Sequence, residues 1–365
     1  MKRKMIVVAM LATTGLLLCG VNSVFAIDQQ CNACHTMHNS QNGSAVDGDG
    51  PNRVLLNDSC TGCHTGDNDT WAADGTVPYV YDTAATYGTD TLAGGNFLWV
   101  KTINDEKGHN VFTDGFDTED SNLGQNPPGY NAATNVTNMP EDWLTVDYQL
   151  TCSGTTGCHG KRESSDELED ISGAHHGNVT GALTGASTVY NSFRFLKGIK
   201  GYEDTDWEMT TVVGVGTVNQ YYGVHRGSIA TGAESDQATI SAYCAQCHGT
   251  FHSGVIANDA GDTSAEPWLR HPTDYSVEAA QDTGNDYIAV TTYNVAVPVG
   301  FTNLNGDFTI TDTDTTDNIV TCISCHRAHG SPYDDLMRFN YNSALFEAEA
   351  GGNDHGCFWC HTTKN

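Results

Sequence analysis

Six times along this 365-residue chain, a close pair of cysteines is followed at once by a histidine. Five of the pairs read C-x-x-C-H: Cys31/Cys34/His35, Cys60/Cys63/His64, Cys244/Cys247/His248, Cys322/Cys325/His326 and Cys357/Cys360/His361. The remaining one, Cys152/Cys158/His159, keeps the Cys-His step but holds five residues between its cysteines. This spacing is the signature of c-type haem attachment. The two thiols bond to the porphyrin vinyl groups, and the histidine takes the proximal position on iron. Disulfides or zinc would leave the recurring histidine unexplained. At the long site, Gly154 and Gly157 let Ser153–Gly157 bulge outward. The competing reading there is a Cys152–Cys158 disulfide, which has no use for His159.

Histidine supply matches six haems with two axial imidazoles each. Of 15 histidines, six are proximal. The distal candidates are His38, His109, His175, His176, His252, His271 and His329, with His225 and His355 as weaker ones. Three candidates lie close to a proximal histidine: His38 after His35, His252 after His248, and His329 after His326. Residues three or four apart on a helical turn share a face about 5–6 Å apart. They cannot flank one porphyrin, so the second of each pair is expected to serve a different haem. That would tie neighbouring haems into contact. Bis-histidine iron has a lower potential than His/Met iron.

The first 26 residues read as a secretory signal. Met1-Lys2-Arg3-Lys4 is basic, Met5 to Cys19 is apolar, and Val24-Phe25-Ala26 ends in small residues. A lipid anchor at Cys19 is the alternative, although Leu18 is large for that motif. No later segment is long and apolar enough to span a bilayer. The expectation is a single domain, 27–365, secreted to the cell exterior or surface, with the periplasm as alternative. The formal charge of −29 argues against nucleic acid and anionic lipid as partners. It suits redox partner cytochromes or extracellular metal oxides.

Gly (39 residues), Thr, Asp and Asn recur throughout and favour turns. The fold class expected is a multihaem cytochrome c, mostly coil and turns with short helices and a few short strands wrapped around a stacked haem chain. A helix is expected from His329 through Leu336, Met337 and Phe339, and strands over Tyr287–Val299 and Phe308–Thr311. The acidic stretches Asp114–Asp120 and Asp312–Asp317 lack an EF-hand register.

The segment Cys31-Asn32-Ala33-Cys34-His35-Thr36-Met37-His38-Asn39-Ser40 resembles the start of the mature extracellular nanowire cytochromes of metal-reducing bacteria, the OmcS and OmcE type. Gly94-Gly95-Asn96-Phe97, Lys107-Gly108-His109-Asn110, Leu269-Arg270-His271-Pro272 and Cys322-Ile323-Ser324-Cys325-His326-Arg327-Ala328-His329-Gly330 carry the same resemblance, in order along the chain. The long gap at Cys152–Cys158 departs from the hexahaem pattern. The resemblance implies six stacked bis-histidine haems c, electron transfer and polymerisation, with His38 ligating a haem of the neighbouring subunit. A monomeric electron carrier and a multihaem reductase are the other function classes. The reductase fits poorly, because every motif ends in histidine and distal ligands are in surplus.

Overall fold

The computed structural model describes residues 31–48, 50–65, 77–78, 80–82, 93–102, 105–111, 127–129, 150–173, 175–176, 182–183, 192–202, 219–225, 237–252, 271, 273–277, 293–304, 318–340 and 356–361. Regular structure within them is short. The α-helices are α1 (Leu98–Thr102), α2 (Glu167–Asp170), α3 (Ile240–Ala245), α4 (Gly249–His252) and α5 (Cys322–Cys325). The strands run two or three residues each: β1 (Ser40–Gln41), β2 (Ser44–Ala45), β3 (Thr151–Ser153), β4 (Gly157–His159), β5 (Ala182–Leu183), β6 (Gly201–Tyr202), β7 (Gln220–Tyr222), β8 (Tyr275–Ser276), β9 (Gly300–Phe301) and β10 (Ile319–Val320). Six of them form one sheet in the order β5-β6-β7-β9-β10-β8, antiparallel except for the β7–β9 pair. This is the coil-and-turn architecture that the composition implies.

Two helices carry attachment cysteines and are fixed at their N-termini. In α3, which ends at Ala245 just past Cys244, the Thr239 hydroxyl accepts from the Ala242 N–H at 3.1 Å. In α5, the Ser324 hydroxyl accepts from the Thr321 N–H at 3.0 Å, one half of a capping box. Side-chain packing between the elements comes in small clusters. The largest joins Phe193, Ile199, Tyr221, Ile240, Tyr243 and Ile323 beside Cys158.

Three tight arches recur, at Arg53–Leu55, Phe193–Phe195 and Asp334–Leu336. Each places two consecutive non-glycine residues in the left-handed region: Val54 and Leu55 (φ 50° and 57°), Arg194 and Phe195 (53° and 59°), Asp335 and Leu336 (56° and 58°). The left-handed conformation costs an L-residue about 1–2 kcal/mol, and most for a β-branched residue such as Val54. The expected helix from His329 through Phe339 is thus replaced by an arch with extended backbone on both sides. The expected strand at Tyr287–Val299 also differs. Its described part, 293–299, is turn and coil, and the strand begins at Gly300. Gly300 has the position facing Tyr221 and Ile319 that the sheet requires. Phe308–Thr311 and both acidic stretches lie outside the described residues.

The long Cys152–Cys158 loop is organised around one carboxylate. Asp170, 1% exposed at the end of α2, accepts backbone N–H groups from Gly154 (3.2 Å), Arg162 (2.8 Å), Glu163 (2.8 Å) and Ser164 (3.1 Å). The flanks β3 and β4 pair in parallel across the bulge, and Gly154 takes φ 94°. Gly157 lies so close to Ser153 that a Cβ would overlap its backbone. Burial disfavours the Asp170 charge, but the converging N–H groups outweigh it and hold the carboxyl below its ordinary value. A lowered folded pKa means stability that is present above the unfolded value of about 3.9 and lost as pH falls through the folded one. Asp170→Ala should cost on the order of 3 kcal/mol by leaving these donors unpaired. In thermal unfolding scans from pH 7 down to pH 3, the gap between the native chain and Asp170→Asn should close at the acid end.

Candidate haem-binding site

All six proximal histidines fall within the described residues. Five face another imidazole. Ring-centroid separations are 5.8 Å for His35–His175, 6.0 Å for His64–His176, 6.3 Å for His159–His329, 6.0 Å for His248–His109 and 6.1 Å for His361–His271. An imidazole nitrogen sits about 2 Å from a ligated metal. Two imidazoles on opposite faces of one porphyrin iron therefore have centroids about 6 Å apart. The observed spacing fits an iron between each pair.

The rings are also aimed. The Nδ1–H group of His35 donates to the Val54 carbonyl (2.9 Å), of His64 to Pro78 (2.6 Å), of His159 to Arg194 (2.9 Å), of His248 to Pro128 (2.7 Å) and of His326 to Asp335 (2.6 Å). Among the facing rings, His109 donates to Ala328 (2.6 Å) and His176 to Gly173 (2.7 Å). A carbonyl on Nδ1 fixes the tautomer with the lone pair on Nε2, which is the nitrogen a metal needs. Burial lowers the pKa values of His64 and His248 to about 4 and that of His329 to about 3. These lone pairs are therefore available at neutral pH.

The three arches serve three of these rings. The middle residue of each arch (Val54, Arg194 or Asp335) supplies the carbonyl that receives Nδ1–H. The third residue receives the N–H of the residue after the proximal histidine: Thr36 to Leu55 at 2.7 Å, Gly160 to Phe195 at 3.0 Å and Arg327 to Leu336 at 2.7 Å. Sequence reasoning missed the arches, because a backbone carbonyl carries no residue signature.

Cysteines of successive motifs meet. Cys34 and Cys63 share a hydrogen bond, as do Cys60 and Cys152, and Cys244 and Cys322. Charge on Cys158 is felt at Cys247, and charge on Cys357 and Cys360 at Cys325. Cys60, Cys152 and Glu167 lie within 4.8 Å of one another. That trio reads as the junction of two attachment sites. The six sites thus neighbour one another in chain order.

Other expected ligands stand differently. The His252 Nε2–H group, buried, donates to Asp274 Oδ2 at 2.9 Å, so a carboxylate holds one ring nitrogen of this expected ligand. His225 is exposed; its Nδ1 accepts from the Ser276 N–H at 3.1 Å, and its ring packs on Tyr275. His355 and the segment 1–30 lie outside the described residues. His38 is exposed, with φ 59°. Among the described residues no imidazole faces His38, and none faces His326. No helix among them is long and apolar enough to cross a membrane.

Repeated thiol pairs, aimed proximal imidazoles and facing imidazoles at iron-spanning distance define a multihaem c-type cytochrome, a class of electron-transfer protein. Residues 317–365 match the doubled CXXCH motif family. The chain is 27% identical to the C-type cytochrome OmcS of Geobacter sulfurreducens over 372 aligned positions, covering 89% of this chain and 82% of the relative. Two solved structures also align, each over about nine-tenths of this chain. One is an outer membrane cytochrome S filament from Geobacter sulfurreducens, with 20% identity, a TM-score of 0.42, and 90% of this chain and 88% of that one covered. The other, of OmcS nanowires, has 23% identity, a TM-score of 0.37, and 89% and 87% covered.

Proposed function

We propose that this chain conducts electrons outside the cell along six covalently held haems, after removal of residues 1–26, and that copies join end to end into a filament. The observation that carries this reading is the set of five imidazole pairs spaced for iron. The haems supply reversible one-electron iron couples. The protein's own residues do the rest. Twelve cysteines tether the macrocycles, the carbonyls on Nδ1 keep seven of the imidazoles in ligating pose, and the contacts between successive motifs bring neighbouring haems together for hopping. In this reading His175, His176, His329, His109 and His271 are the distal ligands of the sites at His35, His64, His159, His248 and His361.

The sixth site supports assembly. His326 has an aimed ring with no imidazole opposite among the described residues, and His38 is an exposed imidazole near the chain's start. We assign His38 to the His326 iron of a neighbouring copy, a head-to-tail contact of the type that propagates into open filaments. The acidic surface then favours cationic redox partners or metal oxides at the filament's flank.

Single replacements by alanine separate the roles. His175→Ala and His176→Ala should each turn one of the six low-spin haems high-spin, read by resonance Raman or near-infrared spectra. His225→Ala and His252→Ala should turn none. Were His252→Ala to produce a high-spin centre, the ligand assignment would fall.

His38→Ala should retain all six covalent haems by pyridine haemochrome assay while electron microscopy shows dispersed particles instead of filaments. Normal filaments from that variant would overturn the cross-copy bond, and dispersed particles from the native chain would make it a soluble carrier.

A further inference from the structure

Two residues past the end of each arch, the chain returns to the attachment loop, and the residue there differs in charge from site to site. At the first arch it is Asn57. Its backbone N–H donates to the Cys34 carbonyl at 2.8 Å, and its side-chain amide to Ala33 at 2.9 Å. At the second it is Lys197, exposed, which reaches the Lys161 carbonyl at 3.3 Å and the Glu163 carboxylate at 3.2 Å. That cation has its counter-ion at the surface. At the third it is Arg338, only 8% exposed.

Arg338 is surrounded by carbonyls. Its Nε–H donates to Ile323 (2.5 Å) and His326 (3.1 Å), Nη1 to Val295 (3.0 Å) and Nη2 to Ala93 (3.1 Å). Its backbone N–H holds the Cys325 carbonyl at 2.8 Å. Two of the side-chain acceptors belong to the loop Cys322–His326 itself, one of them the proximal histidine. No carboxylate pairs with this guanidinium among the described residues. A buried charge is weakly screened, and its field acts at several ångströms with far more force than a solvated one. Asp335, on the same arch, opposes it from an exposed position, where water screens it.

We propose that the residue two positions past each arch contributes to the charge felt by the adjoining haem, and that Arg338 raises the reduction potential of the haem at Cys322/Cys325/His326. Reduction adds one electron to the iron and lowers the charge of the centre by one, so a fixed cation beside the axial ligand favours the reduced form. Asn57 is neutral and Lys197 is paired with a surface counter-ion, so neither adds this bias, and at the His159 site the nearby cations are instead Arg194 and Arg162. The chain thereby writes a step into the potential profile along the haem series, at the site where a neighbouring copy would join. The inference rests on haem occupancy of that site as proposed above.

The test is a potentiometric titration of the full-length haem-loaded protein, followed by visible and electron paramagnetic resonance spectra, with the haem count measured separately. In Arg338→Gln, one of the six couples should shift toward the oxidised state by about tenfold in equilibrium constant, about 59 mV for one electron. Arg338→Lys, which keeps charge but not the fork, should return that couple to within about twofold of the native value. Asn57→Arg should raise a different couple. Arg338→Gln with six haems and unmoved couples would overturn the proposal, as would a Lys variant shifted as far as the Gln variant. If Arg338→Gln does not fold, Asn57→Arg decides, and no rise there overturns it. A native haem count below six would instead defeat the occupancy on which the inference rests.

Discussion

An imidazole can offer a lone pair to iron from one nitrogen only if the other nitrogen has somewhere to put its proton. That constraint organises this structure. Seven histidines of the candidate sites donate Nδ1–H to a backbone carbonyl. The carbonyl fixes tautomer and ring direction together, and it increases the basicity of the ligating nitrogen. Supplying it shapes the chain at long range: His248 depends on Pro128, 120 residues earlier, and His109 on Ala328, 219 residues later. The left-handed arches belong to the same economy. Strain of this kind persists only where surrounding contacts over-determine it. Here two hydrogen bonds lock each arch to a proximal histidine and its successor.

What was legible in the sequence followed from side-chain chemistry. Six Cys-His steps mark six candidate attachment points without any knowledge of fold, and the glycines at 154 and 157 announce a bulge. The paired histidines His175 and His176 could be read as ligands but not divided between sites. The structure turns one toward His35 and the other toward His64. What stayed illegible was supplied by backbone or by burial. Asp170 looks like any acidic residue of a helix until its carboxylate is found collecting the loop's N–H groups. His252 has the same spacing from His248 that made it look like a ligand, yet Asp274 lies within 2.9 Å of it. Spacing along the chain tests whether a ring can leave its own haem. It says nothing about what awaits it.

The sparse secondary structure has the same origin. A protein chain ordinarily stabilises itself by burying amphipathic faces, which demands elements long enough to present them. Here three of the hydrophobic clusters gather around attachment cysteines: Cys34 and Cys63 with Leu56 and Val77, Cys158 with Phe193 and Tyr243, Cys325 and Cys357 with Val297 and Phe339. The chain has placed its apolar side chains where macrocycle faces would meet them. Two-residue strands and one-turn helices then suffice, because their task is to position a cysteine, a ring or a carbonyl.

This division of labour also explains how one chain could give its haems unequal properties while holding them alike. Ring direction is set by carbonyls, which any residue provides, so the arch geometry survives with Val54, Arg194 or Asp335 at its centre. The side chains near the arch are then free to vary in charge without disturbing ligation. Asn57, Lys197 and Arg338 occupy equivalent positions and differ in charge, burial and counter-ion. A site whose geometry was held by side chains could not vary in this way, since each charge change would also move a ligand. Separating the group that aims the imidazole from the group that sets its electrostatic surroundings lets potential be tuned one haem at a time along a series built on a common plan.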